Sequence, residues 1–104
     1  MTPSQIIMAK KHYILENGEV KEVIRAKWND FVMSVDLEDL LLDKTVSEDG
    51  KSMVSSIFFG DGHPYRVSLY KKGKDPIHKF CQTEQEAEEI HAQFVMTIID
   101  EDKD

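Results

Sequence analysis

The alternation of apolar and polar residues through the middle of the chain predicts an antiparallel sheet. Residues 51–59 are rich in β-branched and aromatic side chains, and residues 65–70 place apolar side chains at every second position. That period of two is typical of a half-buried strand. A loop with glycine and proline over residues 60–64 separates the two strands, and residues 77–81 predict a third strand after a further turn.

Two shorter elements precede this sheet. The dipeptide Asn17-Gly18 tolerates the positive φ angles of a type I′ turn, so we expect it to join residues 12–16 and 19–24 in a β-hairpin. A short helix is predicted next, because apolar side chains recur at the three- and four-residue spacing of one helical face: Trp28, Phe31 and Val32. Residues 40–46 leave two alternatives open, since their leucines suit a helix and the run into Thr45-Val46 suits a strand.

The C-terminal segment gives the clearest helix prediction. Thr83 followed by Glu86 forms a capping box, in which each side chain satisfies a backbone N–H of the first helical turn. Apolar positions then recur at intervals of three and four up to Ile98, so we expect residues 83–99 to pack across one face of the sheet. Residues 100–104 carry carboxylates at the negative end of the helix dipole, and we expect this acidic tail to fray.

These elements fit a single α+β domain over residues 1–99, with a mostly antiparallel sheet of about four to five strands. A chain of 104 residues is too short for two domains, and its lone cysteine excludes a disulfide framework. No apolar run approaches the roughly 18 residues that a membrane span needs. At the N-terminus, apolar residues precede lysines, which is the reverse of a secretory signal, so we expect a cytoplasmic protein.

The net charge of −7 is distributed in blocks of opposite sign. Residues 28–49 and 83–104 are strongly acidic, whereas residues 1–27 and 50–82 carry an excess of basic side chains. An acidic protein has no long-range attraction for phosphate backbones, so direct nucleic-acid binding is disfavoured. If the two acidic blocks lie side by side, their carboxylates would instead suit a basic surface on another protein.

About half of the sequence carries motifs of a known group. Residues 53–60, Met-Val-Ser-Ser-Ile-Phe-Phe-Gly, precede a strand with Ser68-Leu69 and the helix motif Thr83-x-x-Glu86-Ala87-x-x-x-His91. This combination resembles a family of small uncharacterised phage and prophage proteins with a Val-Ser-Thr-Ile/Val-Phe-Leu-Gly strand and a Thr-x-x-Glu-Ala-x-x-x-His helix. The resemblance implies the fold and a phage-related origin, and it implies no particular reaction. The sequence departs from the family pattern at Asp61-Gly62-His63, Val67, Glu84 and Ile90.

Histidines provide the candidate chemistry. His63 lies in a loop two residues after Asp61, a carboxylate that could orient its imidazole, although such loop glycines often serve only the turn. His78, Cys81 and His91 form a second set, able to bind a metal or to support nucleophilic chemistry. Residues three apart on a strand point to opposite faces, which argues against a shared ion for His78 and Cys81. His91 falls on the apolar helical face, where a histidine hydrogen-bonded to a sheet backbone group is the simpler interpretation.

We therefore expect a non-enzymatic protein without a cofactor or metal, which binds a protein partner with a basic surface. The candidate binding residues are an aromatic anchor, two loop residues and three helix glutamates: Trp28, Asp61, His63, Glu84, Glu88 and Glu89. The alternative is a small metal-binding protein or hydrolase-like enzyme that uses either histidine set. A homodimer built through an exposed edge strand at residues 77–81 is a further alternative.

Overall fold

The computed structural model describes residues 11–102, which form an α+β fold as predicted. In chain order its elements are β1 (His12–Glu16), β2 (Glu19–Val23), α1 (Arg25–Ser34), α2 (Leu37–Leu40), β3 (Leu41–Val46), β4 (Ser52–Phe58), β5 (Tyr65–Lys71), β6 (Ile77–Cys81) and α3 (Glu84–Asp102). The N-terminal apolar and basic segment, residues 1–10, lies outside the described residues.

The main sheet has four antiparallel strands in the order β3-β4-β5-β6, and β1–β2 forms a separate hairpin. The three strands predicted within residues 51–81 correspond to β4, β5 and β6. Residues in register across them, such as Val54 with Leu69 and Phe58 with Tyr65, are buried on the face that α3 covers. Each fully buried apolar side chain stabilises the fold by about 1.5–3 kcal/mol. The main core therefore lies between this face and α3.

Strands β3 and β6 are the two edges of the main sheet. Strand β6 is exposed along most of its length, and Ile77 and Phe80 keep 48% and 47% of their surface accessible. The exposed edge expected at residues 77–81 is therefore present. Self-association through this edge stays a prediction.

Hairpin β1–β2 turns at Asn17-Gly18 as predicted, with φ angles of 53° and 81° at the two residues. Backbone hydrogen bonds attach β1 to the loop that follows β4. The Tyr13 N–H donates to the Gly60 carbonyl at 2.8 Å, and the Gly62 N–H donates to the Lys11 carbonyl at 2.7 Å. The hairpin is therefore fixed to the main sheet through this loop.

Helix α1 contains Trp28 as predicted, but its apolar face differs from the predicted one. Phe31 packs on the core, with its ring edge-on to that of Phe58 at a centroid distance of 6.2 Å. Val32 is 43% exposed, whereas Val35 packs against the core. Val35 lies four residues after Phe31 and packs on the same side, although α1 ends at Ser34 and Val35 itself has extended backbone.

The ambiguous segment contains both a helix and a strand. Helix α2 ends at Leu40 and β3 begins at Leu41, so each alternative is correct for part of the segment. The change of structure takes place in consecutive leucines, whose apolar side chains fit either element. Periodicity alone therefore cannot locate the boundary.

Strand β3 carries a β-bulge at Leu42, an extra residue that has no partner in β4. Beyond the bulge, Asp43 and Thr45 are in register with buried positions of β4 and face α3. Lys44, between them, lies on the opposite face of the sheet. The bulge therefore determines which of these charged side chains lies on which face.

Helix α3 begins at the predicted cap, where the Glu86 N–H donates to Thr83 Oγ1 at 3.1 Å. The residues buried against the sheet occupy one stripe of the helix: Ala87, His91 and Ile98. The helix continues past the predicted end at residue 99 to Asp102, and residues 103 and 104 of the expected frayed tail lie outside the described residues. No helix within residues 11–102 is long and apolar enough to cross a membrane.

Gly60→Ala should destabilise the junction between β1 and the main sheet. Gly60 has a φ of +79°, and an added Cβ would lie 2.5 Å from the Tyr13 carbonyl oxygen and 2.9 Å from Trp28 Nε1. Left-handed backbone and overpacking together predict a loss of about 2–4 kcal/mol in the free energy of unfolding, measured by urea denaturation. Gly73→Ala is the matched control, because Gly73 has the same φ of +79° with nothing within 4 Å of the added Cβ. Equal losses in the two variants would contradict the packing argument.

Asp49 should make stability depend on pH. Its Oδ1 accepts hydrogen bonds from Ser47 Oγ at 2.6 Å and from the Lys51 N–H at 2.9 Å. The Ser47 hydroxyl above all, and the Lys51 N–H next, lower the pKa of Asp49 below its ordinary value of 3.8. A lowered folded-state pKa means that this contribution is present above the unfolded value and is lost as pH falls through the folded value.

Urea denaturation of wild type and Asp49→Ala over a pH series therefore measures this contribution. The stability difference should be constant above about pH 5 and should shrink as pH falls below the ordinary carboxylate range. Ser47→Ala removes the principal donor and should reduce the pH-dependent part. A stability difference that does not vary with pH would show that these hydrogen bonds do not act on the Asp49 carboxyl.

Candidate functional site

A cleft of about 230 Å³ lies between β3 and the first turns of α3. Three carboxylates line it, Asp43 from β3 and Glu84 and Glu88 from α3. The buried side chains of Ser56 and His91 also line it. The cleft therefore brings side chains of the two acidic sequence blocks together along one seam, as the acidic-surface hypothesis requires.

His91 is buried among hydroxyl groups beside the cleft. Its Nδ1 lies 2.7 Å from Ser56 Oγ, and its Nε2 lies 2.9 Å from Thr45 Oγ1. A neutral imidazole has one donor and one acceptor nitrogen, so either tautomer pairs with both hydroxyls. The expectation of a satisfied histidine facing the sheet agrees with these contacts, but the partners are side-chain hydroxyls and not the expected backbone group.

The trio of Ser56, His91 and Asp43 contains the residue types of a hydrolytic triad. Asp43 Oδ2 lies 3.5 Å from His91 Nε2, on the side of the ring away from Ser56. Ser56 is 3% exposed and sits inside β4, which pairs with β3 and β5 on its two sides. Backbone N–H groups in a central strand are committed to the sheet, so they do not form an oxyanion hole. The arrangement therefore orients and stabilises α3 on the sheet.

The carboxylates of the cleft are not neutralised by the described part of the chain. No lysine or arginine within residues 11–102 forms an ion pair with Asp43, Glu84 or Glu88. The Asp43 side chain keeps 66% of its surface accessible. Glu84 and Glu88 lie in the first turns of α3, where the helix dipole stabilises negative charge without a cation. The cleft is therefore a concentrated negative site that faces solvent.

The predicted pairing of His63 with Asp61 does not form. Asp61 Oδ1 lies 3.4 Å from His12 Nε2, and the same β1 histidine packs its ring against Trp28 at a centroid distance of 5.0 Å. His63 Nδ1 instead lies 2.8 Å from Gln82 Nε2. The loop carboxylate is therefore committed to β1, and it does not orient His63 as a base.

The second histidine set is also separated. His78 and Cys81 are on opposite faces of β6, with His78 Nδ1 at 2.6 Å from Ser68 Oγ and Cys81 buried in the core. Burial, and next the charge of Glu86, raise the pKa of the Cys81 thiol, which disfavours the reactive thiolate. Within the described residues, no group of three His, Cys, Asp or Glu side chains is placed to hold a metal ion.

Four of the six predicted binding residues lie away from the cleft. Trp28 is half-buried beside the loop after β4, and its Nε1 is buried with no acceptor among residues 11–102. Glu89 is exposed on α3 but does not line the cleft. The structure therefore brings Glu84 and Glu88 together and leaves Trp28, Asp61, His63 and Glu89 at other positions. Asp43 completes the acidic set, and its position could not be assigned before the β3 bulge was known.

No family model, no curated protein and no solved structure matches this chain. The resemblance to small phage and prophage proteins therefore stays a prediction from sequence motifs. A functional assignment depends on the geometry of the described residues.

His91→Leu should destabilise the fold by about 1–3 kcal/mol, because the buried Ser56 hydroxyl loses its partner. Ser56→Ala in the same background should recover part of that loss, with a coupling of about 1 kcal/mol measured by urea denaturation of both single variants and the double variant. Ser56→Ala combined with a change at the exposed Gln85 is the control and should be additive. Additivity of the Ser56 and His91 changes would contradict the hydrogen bond.

Proposed function

We propose that the protein is a non-enzymatic binding module whose acidic cleft receives basic side chains of a partner protein. The observation that carries the proposal is the convergence of Asp43, Glu84 and Glu88 on one cleft without a cation from residues 11–102. The guanidinium of arginine and the ammonium of lysine are the side-chain groups that complement such a site in charge and hydrogen bonding. The partner therefore presents a basic surface.

Charge and apolar contact have different roles in this proposal. An exposed ion pair contributes about 0–1 kcal/mol, so three carboxylates give orientation and a modest affinity. The net charge of −7 attracts a basic partner at long range and accelerates the encounter. Leu42, which lines the cleft and is 40% exposed, supplies apolar contact next to the charges. The complex should therefore form fast and depend strongly on salt.

The biological setting in this proposal is an accessory protein of a phage or other mobile element. The motifs over residues 53–60 and Thr83 to His91 support it through their resemblance to small phage and prophage proteins. Such a protein would act in the cytoplasm of a bacterial host, on a host or phage protein with a basic surface. The cleft geometry supports the binding mode and is independent of this setting.

Titration with a short oligoarginine peptide tests the cleft. The triple variant Asp43→Asn, Glu84→Gln, Glu88→Gln should bind the peptide about tenfold more weakly at low salt, because three ion pairs are lost. The control Glu19→Gln, Asp30→Asn, Asp75→Asn changes the net charge equally at exposed carboxylates outside the cleft and should bind almost as wild type does. Backbone NMR signals of residues 42–43 and 84–92 report where the peptide lies.

Two results would overturn the proposal. Equal weakening in the two triple variants would mean that total charge, and not the cleft, determines binding. Retention of the peptide at about 1 M salt would exclude exposed ion pairs as its source, since the Debye length is then about 3 Å.

A further inference from the structure

The face of the main sheet opposite α3 carries a second depression, a groove of about 380 Å³. Its floor comes from β4 and β5, where Met53 is in register with Tyr70 and Ile57 with Arg66. Lys44 of β3 also lines it. Helix α3 packs on the other face of the sheet and does not cover the groove.

Arg66 gives the groove its polar chemistry. Its guanidinium carbon lies 4.9 Å from the centroid of the Phe59 ring, a cation–π contact that fixes the side chain. Its Nε is buried and has no acceptor among residues 11–102. Because Nε is buried, a ligand in the groove can contact only the rest of the guanidinium. The arginine is therefore positioned before any ligand arrives.

The cations of the groove form no ion pair with the carboxylates whose side chains the structure describes. Neither Arg66 nor Lys44 forms an ion pair with a carboxylate of residues 11–99, although Glu38 lines the same groove. This contrasts with the acidic surface on the other side of the sheet. The groove is therefore complementary to an anion.

The rest of the lining is mostly apolar, with side chains of Leu41, Met53, Ile57 and Tyr70. A volume of about 380 Å³ falls within the roughly 300–1,000 Å³ of small-molecule sites. Apolar walls with a few fixed polar groups are the usual composition of such sites. The lining therefore fits a ligand with an apolar body and one charged end.

We propose that this groove binds a small organic monocarboxylate with an aromatic or other apolar body. The carboxylate accepts hydrogen bonds from the guanidinium of Arg66, whose planar donors match the two oxygens, and Lys44 adds a second positive charge. The body lies against Met53, Ile57 and the ring of Tyr70. This ligand site lies on the other face of the sheet from the acidic cleft and does not depend on the function proposed for the cleft.

A single negative charge is favoured over a polyanion. The net charge of −7 repels anions at long range, and this repulsion grows with the charge of the ligand. A nucleic-acid strand would need a row of cations along its phosphates, whereas the groove offers Arg66 and Lys44. Two cations are sufficient for one carboxylate.

NMR titration of the full chain with 2-naphthoate tests the proposal. The methyl signals of Met53 and Ile57 should shift on addition, and 2-naphthamide, which has the same body without the charge, should bind about tenfold more weakly. Arg66→Gln should weaken naphthoate binding by about tenfold or more. Arg25→Gln, at the other arginine of the chain, is the matched control and should leave binding unchanged.

A second variant tests the groove even if Arg66→Gln does not fold. Lys44→Gln changes an exposed side chain that makes no ion pair with residues 11–99, so it should fold and should weaken naphthoate binding less than Arg66→Gln does. The triple variant of the acidic cleft should bind naphthoate at least as well as wild type, because it removes repelling charge. Loss of naphthoate binding in that variant would overturn the assignment of the ligand to this groove.

Other occupants give distinct results. Equal affinity for naphthoate and naphthamide, or the absence of methyl shifts up to the solubility limit, would overturn the proposal. Tighter binding of a short oligothymidylate than of naphthoate would identify a nucleic-acid surface and also overturn it. Methyl shifts that depend on protein concentration without ligand, and disappear in Arg66→Gln, would identify a second copy of the chain as the occupant and would likewise overturn the proposal.

Discussion

The surfaces of this protein follow from one packing constraint: a four-stranded sheet has two faces, and α3 covers only one of them. The apolar stripe of β4 and β5 on that face is buried with Ala87 and Ile98 of the helix, and it supplies most of the core. Most side chains that β4 and β5 place on the opposite face are half-buried, and Ser68 is fully buried there. The covered side presents carboxylates at the seam between β3 and α3, and the open side presents an arginine and a lysine among apolar residues. Both binding proposals depend on this asymmetry.

Most of the fold was predictable because its signals are short in range. Asn17-Gly18 specifies its hairpin through backbone angles, and Thr83 begins α3 through one hydrogen bond to the Glu86 N–H. The alternation in β5 gives both the strand and its buried face. The register of β3 was not predictable in this way, since consecutive leucines fit a helix and a strand equally well.

The contacts around His91 were not predictable from spacing, because its partners lie 35 and 46 residues away in the sequence. A weaker signal was nevertheless present. Ser56 interrupts the apolar stripe of β4 between Val54 and Phe58, and His91 interrupts the apolar stripe of α3. Buried polar side chains need hydrogen-bond partners, and these two lie on apolar stripes that face each other. A hydrogen bond between them could therefore have been proposed from the sequence. No comparable indication of the groove beside Arg66 and Lys44 was present in the sequence, since the face on which Lys44 lies depends on the bulge.

The bulge at Leu42 has a consequence for the polarity of the whole molecule. Side chains of a strand alternate between faces, so a shift of one residue in pairing moves each of them to the other side. With Leu42 deleted, Leu41 would stay opposite Ile57 and Asp43 opposite Ser56, so the bulge would disappear and Asp43 and Lys44 would keep their faces. With Leu42 present but paired with Ser56, in continuation of the pairing before it, Lys44 would turn toward His91 and Asp43 toward Arg66. The extra residue in β3 thus places opposite charges on the two sides of the sheet. A slip of one residue in the pairing of β3 with β4 would exchange these charges without any change in the net charge of the chain.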